Sequence, residues 1–141
     1  MTAIFGSEDW ADALKDEINR SDEYRNAASE WGVDFNGNML FVFQPDETTT
    51  HERKLLLELS GGSCHSANFV EDQPTKEAGF VLRGPMQLWR DILDRKTMAA
   101  TAILTGKMEV DGERMQLLKH TEANRALIHC TASVDTGWAE R

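Results

Sequence analysis

The sequence of 141 residues predicts one α+β domain, in which helices lie on one side of a mostly antiparallel sheet of five strands. Apolar residues recur at helical spacing at the start of the chain and again after residue 84, whereas short apolar runs bounded by turn residues fill the middle. No internal repeat or linker divides the chain. Strands joined by short loops favour antiparallel pairing, and grouped strands followed by helices are typical of the α+β class.

Two short helices are predicted to open the domain. Ser7 and Ser21 are each followed by two acidic residues, and this order is typical of a helix start. A serine can accept a backbone hydrogen bond there, and the helix dipole favours anions in the first turn. We expect Gly32 to end the second helix. The apolar faces comprise Trp10, Leu14 and Ile18 in the first helix, and Tyr24, Ala27, Ala28 and Trp31 in the second.

Four strands are predicted for the middle of the chain. Each candidate is short, rich in aromatic or branched residues, and flanked by turn residues. The candidates are residues 39–43, 54–59, 63–70 and 80–82. The polar segments 46–52 and 71–77 between them are expected to be exposed loops.

Helical spacing returns after Gly84-Pro85. Leu88, Trp89, Ile92 and Leu93 occupy one side of a predicted helix, and charged residues occupy the other. An alanine-rich helix over residues 98–105, a fifth strand over 107–110 and a last helix extending from Met115 toward Ile128 complete the order. We expect residues 7–130 to form the core and 131–141 a tail, of which Trp138 could dock on the domain.

Charge and hydropathy exclude several classes of function. The net charge of −9 argues against nucleic acid as a partner and against tight docking on anionic lipid. No apolar run approaches the roughly 18 residues of a membrane span, so we expect no stable membrane insertion. The first residues lack the basic and apolar regions of a secretory signal, and we expect an acidic cytoplasmic protein. Cys64 and Cys130 are too few for a disulfide framework and are expected to be free thiols.

The order of elements resembles the sterol carrier protein (sterol transfer) domain family. The residues that carry the resemblance are 89–93, 99–104, Gly106-Lys107-Met108, Val110-Asp111-Gly112 and 115–119. The resemblance implies a five-stranded sheet covered by helices with an apolar tunnel between them, and non-catalytic binding or transfer of fatty acyl chains, sterols and related lipids. The sequence ends Trp138-Ala139-Glu140-Arg141, without the peroxisomal Ser-Lys-Leu address of eukaryotic carriers. The resemblance therefore points to a stand-alone, prokaryotic type of member.

The candidate ligand-binding residues form what we call the predicted apolar set. They are apolar, and they lie in the strands and helices that the resemblance places around the tunnel. Three of them are methionines, whose unbranched side chains adapt to variable ligand shapes. The alternative is that all of them are core residues, as apolar helix stripes usually are. The set comprises Phe41, Phe43, Leu88, Trp89, Ile92, Leu93, Met98, Ile103, Leu104, Met108, Met115 and Leu118.

Two rival functions stay open at this point. One is a structural or protein-interaction module whose tunnel is filled by its own side chains. The other is a small enzyme that uses Cys64-His65 or His129-Cys130 as a thiol–base pair. Neighbouring residues of a strand point to opposite faces, and no Cys or His pair has zinc-finger spacing, so we expect no metal and no catalysis. No glycine-rich phosphate motif is present, and we expect no cofactor. A homodimer stays open.

Overall fold

A computed structural model describes residues 2–47, 49, 51–71 and 78–138 and confirms the α+β class. Five strands form one sheet with helices against one face, and two short strands form a separate ladder. The strands are β1 (Ala3–Ile4), β2 (Met39–Gln44), β3 (Arg53–Ser60), β4 (Ser63–Val70), β5 (Phe80–Pro85), β6 (Glu109–Asp111) and β7 (Thr136–Gly137). The helices are α1 (Glu8–Arg20), α2 (Asp22–Ala27), α3 (Met86–Leu93), α4 (Ala99–Leu104), α5 (Arg114–Lys119) and α6 (Thr121–Ser133).

The main sheet has the order β4-β3-β2-β5-β6, and all its pairs are antiparallel except β2 with β5. The parallel pair arises because the chain leaves β4 at one edge and returns to form β5 on the far side of β2. Residues 72–77, which make up most of the predicted loop 71–77, lie outside the described residues. So do residues 48 and 50 of the predicted loop 46–52.

Both predicted helix starts are confirmed. The Ser7 hydroxyl oxygen accepts the Trp10 backbone N–H at 3.2 Å, and that of Ser21 accepts the Tyr24 N–H at 3.0 Å. The predicted stop at Gly32 is wrong, since α2 already ends at Ala27. Gly32 instead lies in the turn that follows, with a positive φ of 77°. A Cβ there would lie 2.6 Å from the Leu59 carbonyl oxygen, so this close approach of turn and strand requires glycine.

The helix-facing side of the sheet carries the main core. β2 and β3 contribute alternate residues to it, as the period of two along a strand requires. β2 is buried on both faces, because its other residues, Leu40 and Val42, form a second small cluster with Leu56 and Val81 on the opposite side of the sheet. α6 contacts α1, α2 and α3 above the main core.

A register shift in β4 explains why this strand alternates poorly in sequence. Leu59 pairs with Cys64 and the preceding Glu58 pairs with Ser66, so His65 is an extra residue in the ladder. The alternation is reset there, and both Cys64 and Ala67 face the core. At the same edge the Asn19 side chain of α1 forms two hydrogen bonds with the Cys64 backbone. The Asn19 Nδ2 donates to the Cys64 carbonyl oxygen at 3.0 Å, and the Asn19 Oδ1 accepts the Cys64 N–H at 2.8 Å.

Two features of the C-terminal part differ from the sequence prediction. The last helix is two helices, because His120 leaves helical geometry between α5 and α6 and its ring lies 5.4 Å from that of Trp31. The segment predicted as a tail completes α6 and forms β7, which pairs in parallel with β1. The Trp138 ring lies 5.1 Å from that of Phe5, so this residue does dock on the domain. Residues 139–141 lie outside the described part.

Candidate functional site

Half of the predicted apolar set belongs to the core. Trp89 of α3 lies against Phe41 and Phe43 of β2, with ring centroids 5.0 and 4.6 Å apart. Its indole N–H donates to the Val42 carbonyl oxygen at 3.0 Å, which fixes α3 on the sheet. The space directly beneath α3 is therefore filled by aromatic side chains. The buried members of the set are Phe41, Phe43, Trp89, Ile92, Leu93 and Met108.

Gly84 marks the place where predicted residues of two segments meet, namely helix α3 and the residue just before β6. A Cβ on this β5 residue would lie 3.2 Å from the Leu88 Cδ2 atom, 3.5 Å from the Met108 Cε atom and 3.7 Å from the Trp89 indole nitrogen. Leu88 is half-buried against the core, and Met108 is buried. A glycine inside a strand often permits such close approach. The structure thus brings Leu88, Trp89 and Met108 together over the end of β5.

Four members of the predicted apolar set are exposed, and they lie on or beside the two short helices α4 and α5. The exposed fractions are 65% for Met98, 87% for Leu104, 61% for Met115 and 70% for Leu118. We call these four residues, with the exposed basic residues of the same segment, the α4–α5 surface. Exposed large apolar residues that cluster in one segment indicate a binding surface more often than scattered ones do.

The two short helices are weakly anchored to the core. In α4 only Ala102 is buried, and Ile103 is half-buried against the core; α5 has no buried residue and contacts the core through Leu117. Leu117 and Val110 of β6 belong to this region but were absent from the predicted set. Val110 lies between two acidic residues in a strand of three, and Leu117 lies in a helix of only six, so neither segment is long enough for an apolar period to single them out.

Two small cavities open elsewhere on the described surface. One of about 130 Å³ is lined by Glu17, Arg20, Ser21, Glu23, His129, Cys130 and Ser133. Another of about 180 Å³ lies between α1 and β4, lined by Glu8, Ala11, Asp12, Ala67, Asn68 and Phe69. Neither contains a member of the predicted apolar set, and charged residues line both.

The candidate Cys64–His65 thiol–base pair does not form. Cys64 is buried and its thiol donates to the Ser66 carbonyl oxygen at 3.3 Å, whereas His65 is exposed and bonds the Ser60 hydroxyl. Burial raises the pKa of Cys64 to about 12, and burial likewise raises the pKa of Cys130. A thiol is a nucleophile only as the thiolate, so these positions are unfavourable for thiol chemistry at neutral pH. Within the described ranges, no three His, Cys, Asp or Glu residues are arranged to hold a metal ion.

A sheet of this order, with helices over one face and an apolar layer between, defines a domain of the sterol-carrier type. Residues 35–123 match the SCP-2 sterol transfer family, and the chain belongs to that family. The matched residues include β2 to β6 and α3 to α5, so they contain the whole predicted apolar set. No curated protein sequence matches the chain.

Solved structures agree with this assignment. A crystal structure of sterol carrier protein 2 superposes with a TM-score of 0.80 at 27% identity, covering 91% of this chain and 97% of its own. A conserved hypothetical protein from Thermus thermophilus, described as a possible sterol carrier protein, gives a TM-score of 0.81 at 26% identity, covering 97% and 94%. The apo form of sterol carrier protein 2 from Yarrowia lipolytica shares the fold, with a TM-score of 0.57 at 15% identity over 94% and 97%.

Proposed function

We propose that the protein binds a hydrophobic small molecule and carries it without chemical change. The observation that carries the proposal is the apolar surface of α4 and α5, which the protein leaves exposed inside the region that matches the family. A fatty acyl or isoprenoid-like chain fits this surface better than a sterol does, because nothing in it selects a ring system. The whole chain acts as one domain in the cytoplasm and uses no cofactor.

The proposed binding site lies between the two short helices and the end of β5. Its floor is the surface around Gly84, where Leu88 and Met108 meet. Ile103 of α4 and Leu117 of α5, both half-buried against the core, form its sides. The aromatic residues beneath α3 support the floor and stay in place when the ligand binds, since displacing packed rings would be costly.

Closure of α4 and α5 over the ligand would cover the exposed members of the apolar set. Burial of a methylene group contributes about 0.8 kcal/mol. A chain of about ten methylenes would therefore contribute roughly 8 kcal/mol before the cost of association. This burial energy is sufficient for useful affinity without any polar contact. Binding that depends on apolar burial alone suits adaptable side chains such as Met98 and Met115.

The test is displacement of a fluorescent fatty acid from the purified protein by oleate, in the absence of membranes. We expect Ile103→Gln to weaken binding roughly tenfold, since covering a branched apolar side chain contributes about 1.5–3 kcal/mol. Ile128→Gln is the matched control, because Ile128 is also a half-buried helical isoleucine packed against the core but lies on α6. Substitution of Leu93 is less informative, because a polar group at this buried position would unfold the helix. Equal binding by both isoleucine variants would contradict the proposed site.

A second candidate function is favoured by the packing beneath α3. The rings of Phe41, Phe43 and Trp89 fill that space, as they would in a structural or protein-interaction module that binds no lipid. Native mass spectrometry of freshly purified protein separates the two functions. A co-purified lipid supports the carrier. Lipid-free protein that also fails to bind the fluorescent fatty acid supports the interaction module.

A further inference from the structure

The α4–α5 surface combines apolar and basic side chains. Met115 and Leu118 are three residues apart, so they lie on the same side of α5, and both are exposed. Arg114 and Lys119 flank them on the helix and are exposed as well. An exposed apolar stripe bordered by basic residues is typical of a helix that lies in the interface of a membrane.

The charge of this segment is opposite to that of the chain. Residues 95–119 contain five basic and three acidic residues, a net charge of +2, within a chain of net charge −9. Two of the acidic residues, Glu109 and Asp111, face Arg83 of β5 at 3.8 and 3.2 Å, which offsets part of their charge. None of the five basic residues forms a salt bridge with another residue of the described ranges, and all are exposed: Arg95, Lys96, Lys107, Arg114 and Lys119.

The other edge of the sheet is acidic. α1 contacts the edge strand β4, and its exposed residues include Glu8, Asp9, Asp12 and Asp16. The α4–α5 surface follows β5 and flanks β6, the strand at the opposite edge. An anionic surface would attract the basic edge and repel the acidic one, so this charge asymmetry orients the molecule.

We propose that the α4–α5 surface docks on an anionic membrane and there exchanges the hydrophobic ligand. The apolar side chains Leu104 and Leu118 enter the headgroup region, and the basic residues pair with lipid phosphates. Docking uses these side chains before α4 and α5 close on a ligand. Within the described part of the chain, no helix has the length and apolarity to cross a bilayer, and docking at the interface needs none. The inference rests on the proposed function, because exchange requires a site that holds the ligand.

A second copy of the chain fits this surface less well than a membrane does. A symmetric dimer through it would place the same five basic residues opposite each other, which is unfavourable. Anionic lipid complements both components of the surface, the apolar and the basic. The net charge of the whole chain opposes tight attachment, so the docking is reversible and weakens at higher salt.

The test is flotation of the full chain with vesicles of phosphatidylcholine alone or mixed with phosphatidylglycerol. We expect flotation only with the mixed vesicles. Each basic residue near an anionic surface strengthens binding about fivefold, so Lys96→Glu with Lys107→Glu should lower binding more than tenfold. Arg20→Glu with Arg25→Glu is the matched control, since it changes the net charge equally on exposed residues of α1 and α2. Leu104→Ser should also lower binding, whereas Val33→Ser, at another exposed apolar residue, should not.

The charge-reversal variants bind the fluorescent fatty acid in the absence of vesicles if only docking is lost. Lys96→Glu with Lys107→Glu should therefore keep its probe affinity, and a failure of docking is thereby distinguished from a failure of the carrier function. Absence of wild-type flotation would overturn the inference, as would equal losses in both charge-reversal variants. Self-association that Leu104→Ser abolishes, without any vesicle binding, would assign the surface to a dimer instead. If the protein binds no vesicles but captures an acidic protein, and the capture requires the basic residues of the α4–α5 surface, the surface would be assigned to that partner.

Discussion

The Cys64 thiol shows how one residue can look reactive in the sequence and be inert in the fold. Its neighbour His65 is the extra residue of the β4 ladder, so the two side chains separate. The sequence predicts this divergence from the period of a strand. It does not predict how deeply the thiol is buried, because the burial depends on how α1 and α2 pack against β4. The buried Tyr24 of α2 lies so close to Cys64 that the thiol, in addition to burial, raises the pKa of the tyrosine.

Burial should make Cys64 unreactive at neutral pH. In a Cys130→Ser background, we expect iodoacetamide to modify the native protein far more slowly than the urea-unfolded protein, because the pKa of Cys64 is raised to about 12 from an ordinary value of 9.0. The raised pKa stabilises the fold below pH 9, and this contribution is lost as the pH rises from about 9 toward 12. Fast native modification with a midpoint below pH 9 would contradict this and revive the thiol enzyme.

At the scale of elements, local signals predicted most of the fold. The serine caps locate the starts of α1 and α2, and the alternation of apolar residues locates β2 and β3. The parallel pairing of β2 with β5 could not be predicted, because it depends on where the chain returns after β4. The break at His120 also depends on tertiary structure, since the imidazole ring lies against Trp31 and Phe35, which are remote in sequence.

The exposed edge of β4 is capped by one side chain of α1. Asn19 both donates to and accepts from the backbone of Cys64, and it thereby occupies groups that could pair with another strand. We expect Asn19→Asp to lower the free energy of unfolding by about 2 kcal/mol, because a carboxylate cannot donate and would face the carbonyl oxygen. Urea denaturation measures this loss. Asn26→Asp is the control, at an exposed asparagine of α2, and a similar loss there would show a general effect of charge instead.

For the whole molecule, the site was predicted only in part. The apolar pattern found the right elements, but it treated core and surface residues alike. Trp89 and Leu104 are both apolar residues at helical spacing, yet one is 1% and the other 87% exposed. That difference depends on the position of each helix over the sheet: α3 lies across β2, whereas α4 is held mainly through Ala102. Gly84, which brings three of the predicted residues together, looked like a turn signal in the sequence.

The two ends of the chain close the domain together, although the C-terminal end looks like a tail in the sequence. β7 pairs with β1, the Trp10 indole N–H donates to the Thr136 hydroxyl at 2.9 Å, and Arg90 lies 4.5 Å from the Trp138 ring centre. We expect a chain that ends after Val134 to keep its sheet but to lose roughly 2–3 kcal/mol of stability. The loss combines an unpaired buried N–H with lost aromatic contacts.

Urea denaturation of the shortened and full chains measures this loss, and two further variants locate it. Thr136→Val keeps the size of the side chain but leaves the Trp10 N–H without its acceptor, so it should account for about 1 kcal/mol or more. Trp138→Ala removes the ring that lies against Phe5 and Arg90, so it should account for a further part of the loss. If the chain ending after Val134 is as stable as the full chain, the ends do not stabilise the domain, and the aromatic layer around Phe5 must be held by the main sheet alone.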